Sequence, residues 1–156
     1  MNNFDEKRAY SVCITGHRTL EKGFDEQRVE KVLKDLVERN FCTFYVGMAI
    51  GFDMLCFRIL EKIRLTNKIK IIACIPCLSQ PDKFNERQRE EYFRMVESAD
   101  EKVVLSEVYT PSCMQKRNEY MVDRSGVVVA YLTRNFGGTA NTVKYAQKKG
   151  ISIINI

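Results

Sequence analysis

The stretch GVVVAYL at residues 126–132 is apolar at almost every position, and so is IKIIACI at residues 69–75. A strand with one face in water alternates apolar and polar residues, whereas a strand covered on both faces need not alternate. Both stretches are short and rich in β-branched residues, and IKIIACI ends at Pro76. They therefore predict two parallel strands inside a sheet that has helices on both of its faces.

Outward from these two stretches, strand-like and helix-like segments alternate along the chain. Further short apolar runs predict strands at residues 10–15, 42–47, 102–106 and 151–156. Apolar residues spaced three or four apart predict helices at residues 25–40, 52–65, 84–99, 112–124 and 139–149. This alternation predicts an α/β, Rossmann-like, three-layer fold: a mostly parallel sheet of about six strands with helices on both faces.

Composition excludes several classes of protein. With 45% hydrophobic and 29% charged residues, the chain of 156 residues is neither disordered nor fibrous, and we expect a single domain over residues 1–156. No run approaches the ~20 apolar residues of a membrane span. The polar, mixed-charge start lacks the apolar core of a secretory signal, so we expect a cytoplasmic protein that does not engage membranes. The net charge of +5 favours anionic partners.

The six cysteines are expected to be free thiols, since the expected compartment is reducing, and most of them to pack in the core. Cys74 and Cys77 form a CxxC pair, but no second pair follows it. His17 is the only histidine and lies far away in the sequence. A zinc site needs four ligands, so the sequence predicts no metal site.

Ligands of open parallel sheets bind beyond the carboxyl ends of the strands, which makes the loops after the strands the places to search. Glycines there let a backbone approach a ligand, and polar side chains beside them supply hydrogen bonds and charge. The ligand-binding candidates in three such loops are Gly16, His17, Arg18, Gly47, Gly51, Asp53, Gly137, Gly138, Thr139 and Thr142. The helix over 112–124 adds Asn118 and also Arg117, whose charge suits a phosphate.

Each candidate also has an ordinary structural interpretation that the sequence leaves open. His17 and Arg18 would lie on the surface of a tight turn, and Thr139 would cap a helix. Asp53 would cap a helix N-terminus, or instead accept a ribose hydroxyl or hold Arg18. Arg117 would lie on a solvated helix face. The dinucleotide fingerprint GxGxxG and the phosphate loop GxxxxGK[ST] are absent, which argues against an ordinary dehydrogenase or P-loop NTPase. No catalytic residue is assigned.

Four segments taken together carry a family resemblance. They are TGHR at 15–18, GMAIGFD at 47–53, QKRNEYMVD at 115–123 and FGGTANTVKYA at 136–146. In this order they resemble the SLOG superfamily, the Rossmann-like group that joins the DNA-processing protein DprA to the LOG phosphoribohydrolases. Within it the chain looks like the YpsA-like branch of bacterial and phage proteins, over residues 11–156.

The resemblance implies a module that binds a nucleotide or a nucleotide-derived ligand of the NAD or ADP-ribose type at the candidate residues, with sensing as its role. No resident cofactor is required, and a homodimer or a protein partner is an expectation of the same kind. Two alternatives stay open. The first is LOG-like N-glycosidic hydrolysis of a nucleoside monophosphate. The second, which we rank below hydrolysis, is DprA-like binding of single-stranded DNA. LOG enzymes carry PGGxGTxxE, whereas here the proline is missing and the glutamate position falls on Thr142. A threonine cannot supply the carboxylate that glycosidic cleavage uses, so such hydrolysis would need Asp53, Asp123 or Glu119 in its place. Whether the protein is an enzyme stays open, with the balance against it.

Overall fold

The computed structural model describes residues 3–156. Six strands form one sheet. They are β1 (Ser11–Gly16), β2 (Thr43–Val46), β3 (Lys70–Ile75), β4 (Glu101–Val104), β5 (Val127–Tyr131) and β6 (Ser152–Asn155). Six α-helices accompany them: α1 (Asn3–Ala9), α2 (Glu26–Glu38), α3 (Phe52–Arg64), α4 (Glu86–Ser98), α5 (Cys113–Asp123) and α6 (Gly138–Lys148).

The strands lie in the order β4-β3-β2-β1-β5-β6, and every neighbouring pair is parallel. From β1 the chain adds strands to one side as far as β4, then returns to pair β5 with the other side of β1. The order therefore reverses between β1 and β5. This confirms the predicted α/β fold with a parallel sheet of six strands.

Two hydrophobic cores cover the two faces of the sheet, and alternate residues of each strand contribute to them. In β1, Val12 and Ile14 pack in the core with α2, α3 and α4, whereas Cys13 packs in the core on the other face, with α5 and α6. The inner strands are buried at nearly every position, which explains their almost continuous apolar sequence.

Two helical segments were not predicted from the sequence. The first is α1, whose seven residues include none that are buried, so it leaves no apolar periodicity to detect. The second is a 3₁₀ helix at Gln80–Lys83, within the loop between β3 and α4. Within residues 3–156, no helix has both the length and the apolar content that crossing a membrane requires.

All six cysteines are free thiols. Five of them are buried, Cys74 and Cys77 among them, and Cys42 is exposed. Burial raises the pKa of the Cys74 thiol to about 12, so that thiol stays protonated and behaves as an apolar side chain.

Candidate functional site

The crevice between β1 and β5 lies where the strand order reverses, which is where open α/β sheets place their ligands. Gly16 at the end of β1 lies opposite Tyr131 at the end of β5. Just beyond these strand ends, Nε2 of His17 accepts a hydrogen bond from the backbone N–H of Thr133 at 2.9 Å. The loops that follow β1 and β5 are thus tied together across the reversal point.

His17 is buried, so its interpretation as a surface residue is wrong. Arg18 is exposed, in agreement with its interpretation as a surface residue. Burial lowers the pKa of His17, and the positive charge of Arg134 lowers it further against an opposing effect of Glu21. The ring is therefore neutral near pH 7. Because Nε2 accepts a hydrogen bond, the ring proton is on Nδ1, which has no hydrogen-bond partner within residues 3–156.

The loop between β2 and α3 is held by three side chains. Oδ2 of Asp53 accepts a hydrogen bond from the backbone N–H of Ala49 at 3.1 Å. The carbonyl oxygen of Gly47 accepts hydrogen bonds from Nη1 of Arg117 and from Nε2 of Gln80, the latter at 3.0 Å. Asp53 therefore closes the loop that precedes its helix and makes no side-chain cap, so its interpretation as a helix cap is wrong.

Asp53 is a buried carboxylate whose negative charge is only partly balanced by hydrogen bonds and nearby cations. Its Oδ1 is buried and has no hydrogen-bond partner among the described residues. Burial raises the pKa of Asp53 to about 6, although the charges of Arg117 and Arg18 and the bond from Ala49 act in the opposite direction. At neutral pH this carboxylate is therefore a costly charge that nearby arginines stabilise in part.

We expect Asp53 to make the free energy of unfolding fall as the pH rises from about 4 to about 6. Below pH 3.8 both the folded and the unfolded chain hold this proton, whereas above pH 6 only the folded chain bears a buried charge. Two pKa units correspond to about 3 kcal/mol. Urea unfolding between about pH 4 and pH 7, compared between the wild type and Asp53→Asn, measures this. Stability curves that stay parallel for the two proteins would contradict it, since all other carboxylates are common to both.

Arg117 is buried on α5, so the solvated-face interpretation is wrong. Nε donates to Oδ1 of Asn118 at 2.7 Å, and Nη1 donates to the Gly47 carbonyl. Burial lowers the pKa of Arg117, and the charge of Asp53 opposes that effect. Within residues 3–156, neither Nη2 of Arg117 nor Nδ2 of Asn118 has a hydrogen-bond partner, so both retain N–H groups for a ligand.

The glycines of the site divide into two kinds. A Cβ on Gly16 would lie 2.4 Å from the Phe52 ring, and one on Gly47 would lie 2.8 Å from Nη1 of Arg117. Gly51 has φ +82°, and its Cβ would lie 2.1 Å from the Arg18 carbonyl oxygen. These three are required by packing. A Cβ on Gly138 would meet nothing within 4 Å, so open space lies beside this residue.

The start of α6 adds a hydroxyl to the same edge of the sheet. Thr139 lies in the first turn, after Gly137 at φ +96°, and its buried side chain hydrogen-bonds no described residue. It does not act as the N-cap, since Gly137 occupies that position. Thr142 differs, because it is fully buried and its hydroxyl donates to the Gly138 carbonyl at 2.8 Å. Thr142 therefore stabilises the helix start and does not reach the crevice in this conformation.

Four side chains of the candidate site share one feature. His17, Arg117, Asn118 and Thr139 are each less than one-tenth exposed, yet each has a polar atom without a hydrogen-bond partner among residues 3–156. In that range, the only side-chain oxygens or nitrogens that are both sealed from solvent and unpartnered are Asp53 Oδ1 and Gln80 Oε1. The four free atoms therefore remain open to solvent. Their N–H and O–H groups are therefore available to water or to a ligand that enters from this edge of the sheet.

Sequence reasoning missed two residues here. Gln80 holds Gly47 from the loop after β3, and no local pattern marks it. Arg134 lies over the Phe136 ring at 5.1 Å from the ring centroid, and both residues are exposed in the loop before α6. Their signal was present in the sequence, since both lie within the three residues before the Gly137–Gly138 pair.

Comparison with known proteins gives the family. The YpsA profile, described as "YspA SLOG family", matches residues 8–153. The SPbeta prophage-derived protein YoqJ of Bacillus subtilis is 33% identical over 133 residues, which cover 75% of this chain and 77% of that protein. A UPF0398 protein of Halalkalibacterium halodurans is 22% identical over 146 residues, 91% of this chain and 77% of that protein.

Among solved structures, DNA processing protein A from Streptococcus pneumoniae has a TM-score of 0.69 at 22% identity, covering 93% of this chain and 49% of that one. The Helicobacter pylori protein, solved for its single-stranded DNA binding mode, has a TM-score of 0.69 at 17% identity, covering 95% and 65%. At these identities the likeness shows the fold alone. The profile match spans nearly the whole chain, and with the YoqJ similarity it shows that this chain belongs to the YpsA family of the SLOG superfamily.

Proposed function

We propose that this protein binds a nucleotide or a nucleotide-derived ligand of the NAD or ADP-ribose type at the crevice between β1 and β5. One observation carries the proposal: nearly buried polar side chains keep unpartnered atoms at this edge. Three of those atoms, on His17, Arg117 and Asn118, are N–H donors. Donors without acceptors are complementary to a ligand rich in acceptor oxygens, such as a phosphate.

The charges around these donors favour the same ligand. Arg18 is exposed, and its charge lowers the pKa of both Asp53 and Arg117, so its guanidinium lies within electrostatic reach of both groups. The positive charge of Arg134 likewise lowers the pKa of His17, so the Arg134 guanidinium lies within electrostatic reach of that ring. The N-terminus of α6 adds unpaired backbone N–H groups and its positive dipole end beside Gly138. Together they stabilise a bound phosphate, and the occupied state would then be read by a partner, as in a sensor.

Arg18→Ala is expected to weaken ligand binding without unfolding the protein, because the side chain is exposed and forms no hydrogen bond within the described residues. Loss of a charge-assisted hydrogen bond of about 1.5–3 kcal/mol lowers affinity roughly 10- to 150-fold. A thermal-shift screen with AMP, ADP, ATP, NAD, ADP-ribose and cyclic nucleotides measures this loss of affinity. A ligand at 100 times its Kd adds about 2.7 kcal/mol to the free energy of unfolding.

The matched control is Arg87→Ala, which removes an exposed arginine from α4, outside the site. The melting temperature of this variant should rise with ligand as that of the wild type does. No shift of the wild type with any nucleotide would overturn the proposal. Chromatography of the same samples shows whether a bound nucleotide is cleaved; Thr142, fully buried and engaged with Gly138, gives hydrolysis no support.

Single-stranded DNA is the second candidate ligand, and the exposed Arg18, Arg134 and Phe136 favour it. Cations beside an aromatic ring are the usual elements of single-strand binding. A short oligodeoxynucleotide therefore belongs in the same screen at two salt concentrations. Affinity that falls steeply with salt would favour DNA, because phosphate contacts release counterions.

A further inference from the structure

We propose that Phe136 is the platform on which the nucleobase of the ligand stacks, an inference that rests on the proposed nucleotide function. Phe136 is 65% exposed, in the loop between β5 and α6. A phenylalanine exposed to this degree loses the free energy that burial of its ring would supply. Among the exposed large hydrophobic residues, Phe136 is the one that directly precedes the Gly137–Gly138 pair.

The position of the ring suits the dimensions of a nucleotide. Phe136 precedes Gly138 by two residues, so their Cα atoms are at most roughly 8 Å apart. Gly138 has open space beside it and begins α6, where the phosphate is proposed to bind. In a nucleotide, one sugar separates the base from the phosphate. A phosphate at Gly138 therefore leaves its base within reach of the ring.

Arg134 connects the two parts of the site. Its guanidinium lies over the Phe136 ring at 5.1 Å from the centroid, and its Nη2 lies 3.6 Å from the Cβ position of Gly137. The cation therefore lies close both to the aromatic ring and to the start of α6. There it can attract a phosphate while the exposed part of the ring receives a base.

Stacking on an aromatic ring depends on the presence of a base more than on its identity, because every base has a π-face. The inference therefore makes a specific claim about ligand class. The site should distinguish a nucleotide from the corresponding sugar phosphate, and it should distinguish AMP from UMP much less.

Isothermal titration of AMP, UMP and ribose 5-phosphate tests this claim. In the wild type, we expect AMP and UMP to bind roughly 5- to 150-fold more tightly than ribose 5-phosphate. In Phe136→Ala, AMP should weaken to nearly the affinity of ribose 5-phosphate, whose own affinity should not change. Phe136→Tyr should restore AMP binding. The matched control is Phe93→Ala, since Phe93 is 56% exposed on α4, outside the site.

Several results would overturn the inference. They are an AMP affinity no higher than that of ribose 5-phosphate in the wild type, equal weakening of both ligands by Phe136→Ala, or an equal effect of Phe93→Ala on AMP. Binding of a short oligodeoxynucleotide without measurable binding of AMP would also overturn it. The proposed function itself fails only if no nucleotide of the wider screen binds, so the two failures are distinguishable.

Discussion

Arg117→Met is expected to lower the free energy of unfolding by about 3 kcal/mol, the upper end for loss of a buried hydrogen bond from a charged donor. The substitution keeps much of the apolar stem but removes a buried cation that donates to the Gly47 carbonyl and stabilises the charge of Asp53. No salt bridge joins Asp53 and Arg117 among the described residues, but loss of the nearby cation leaves the buried carboxylate with less electrostatic stabilisation. In a chain of this length the melting temperature should fall by roughly 6–12 °C.

Lys116→Met is the matched control, because Lys116 is the exposed neighbour of Arg117 on α5. It removes the same charge at little cost, since a surface charge contributes little to stability. Asp53→Asn should recover part of the loss when combined with Arg117→Met, because it removes the carboxylate left without its cation. Equal melting temperatures for Arg117→Met and Lys116→Met would show that the buried contacts contribute nothing to stability.

Gly51→Ala is expected to destabilise the protein by about 4 kcal/mol, enough to lower the yield of folded protein. Two costs combine at this position. The backbone has φ +82° and ψ −121°, outside the regions allowed to a residue with a Cβ, so an alanine there is strained. In addition, the new Cβ would lie 2.1 Å from the carbonyl oxygen of Arg18, a backbone atom that cannot move aside alone.

Gly23→Ala is the comparison variant. Gly23 has φ +83°, yet a Cβ there would meet nothing within 4 Å. It therefore bears the cost of a positive φ without a steric clash, and about 1–2 kcal/mol is expected. Urea unfolding of both variants measures how much more Gly51→Ala costs. If the two variants were equally stable, the close contact between the Gly51 backbone and Arg18 would not constrain the loop.

The sequence predicted the parallel sheet because burial on both faces of a strand leaves a direct record in its composition, as in β3 and β5. Helix α1 left no such record, since none of its residues is buried. The burial of Arg117 had a signal that went unused. Cys113 and Met121 lie four residues before and after it, and both are buried on the same face of α5.

The contacts of the candidate site were less predictable, because they join segments that are distant in the chain. Gln80 reaches Gly47 across 33 residues, and His17 reaches Thr133 across 116. No local pattern encodes such pairs. The glycine loops were found by their position after strands, but the sequence did not separate Gly16, Gly47 and Gly51, which packing requires, from Gly138, which leaves open space.

The distribution of the thiols makes this chain convenient for labelling. Cys42 alone among the six cysteines is exposed, and it precedes β2 at the amino end of the sheet. The candidate site lies beyond the carboxyl ends of the same strands. A maleimide dye should therefore attach at one position, on the side of the molecule away from the crevice, and leave the crevice unobstructed.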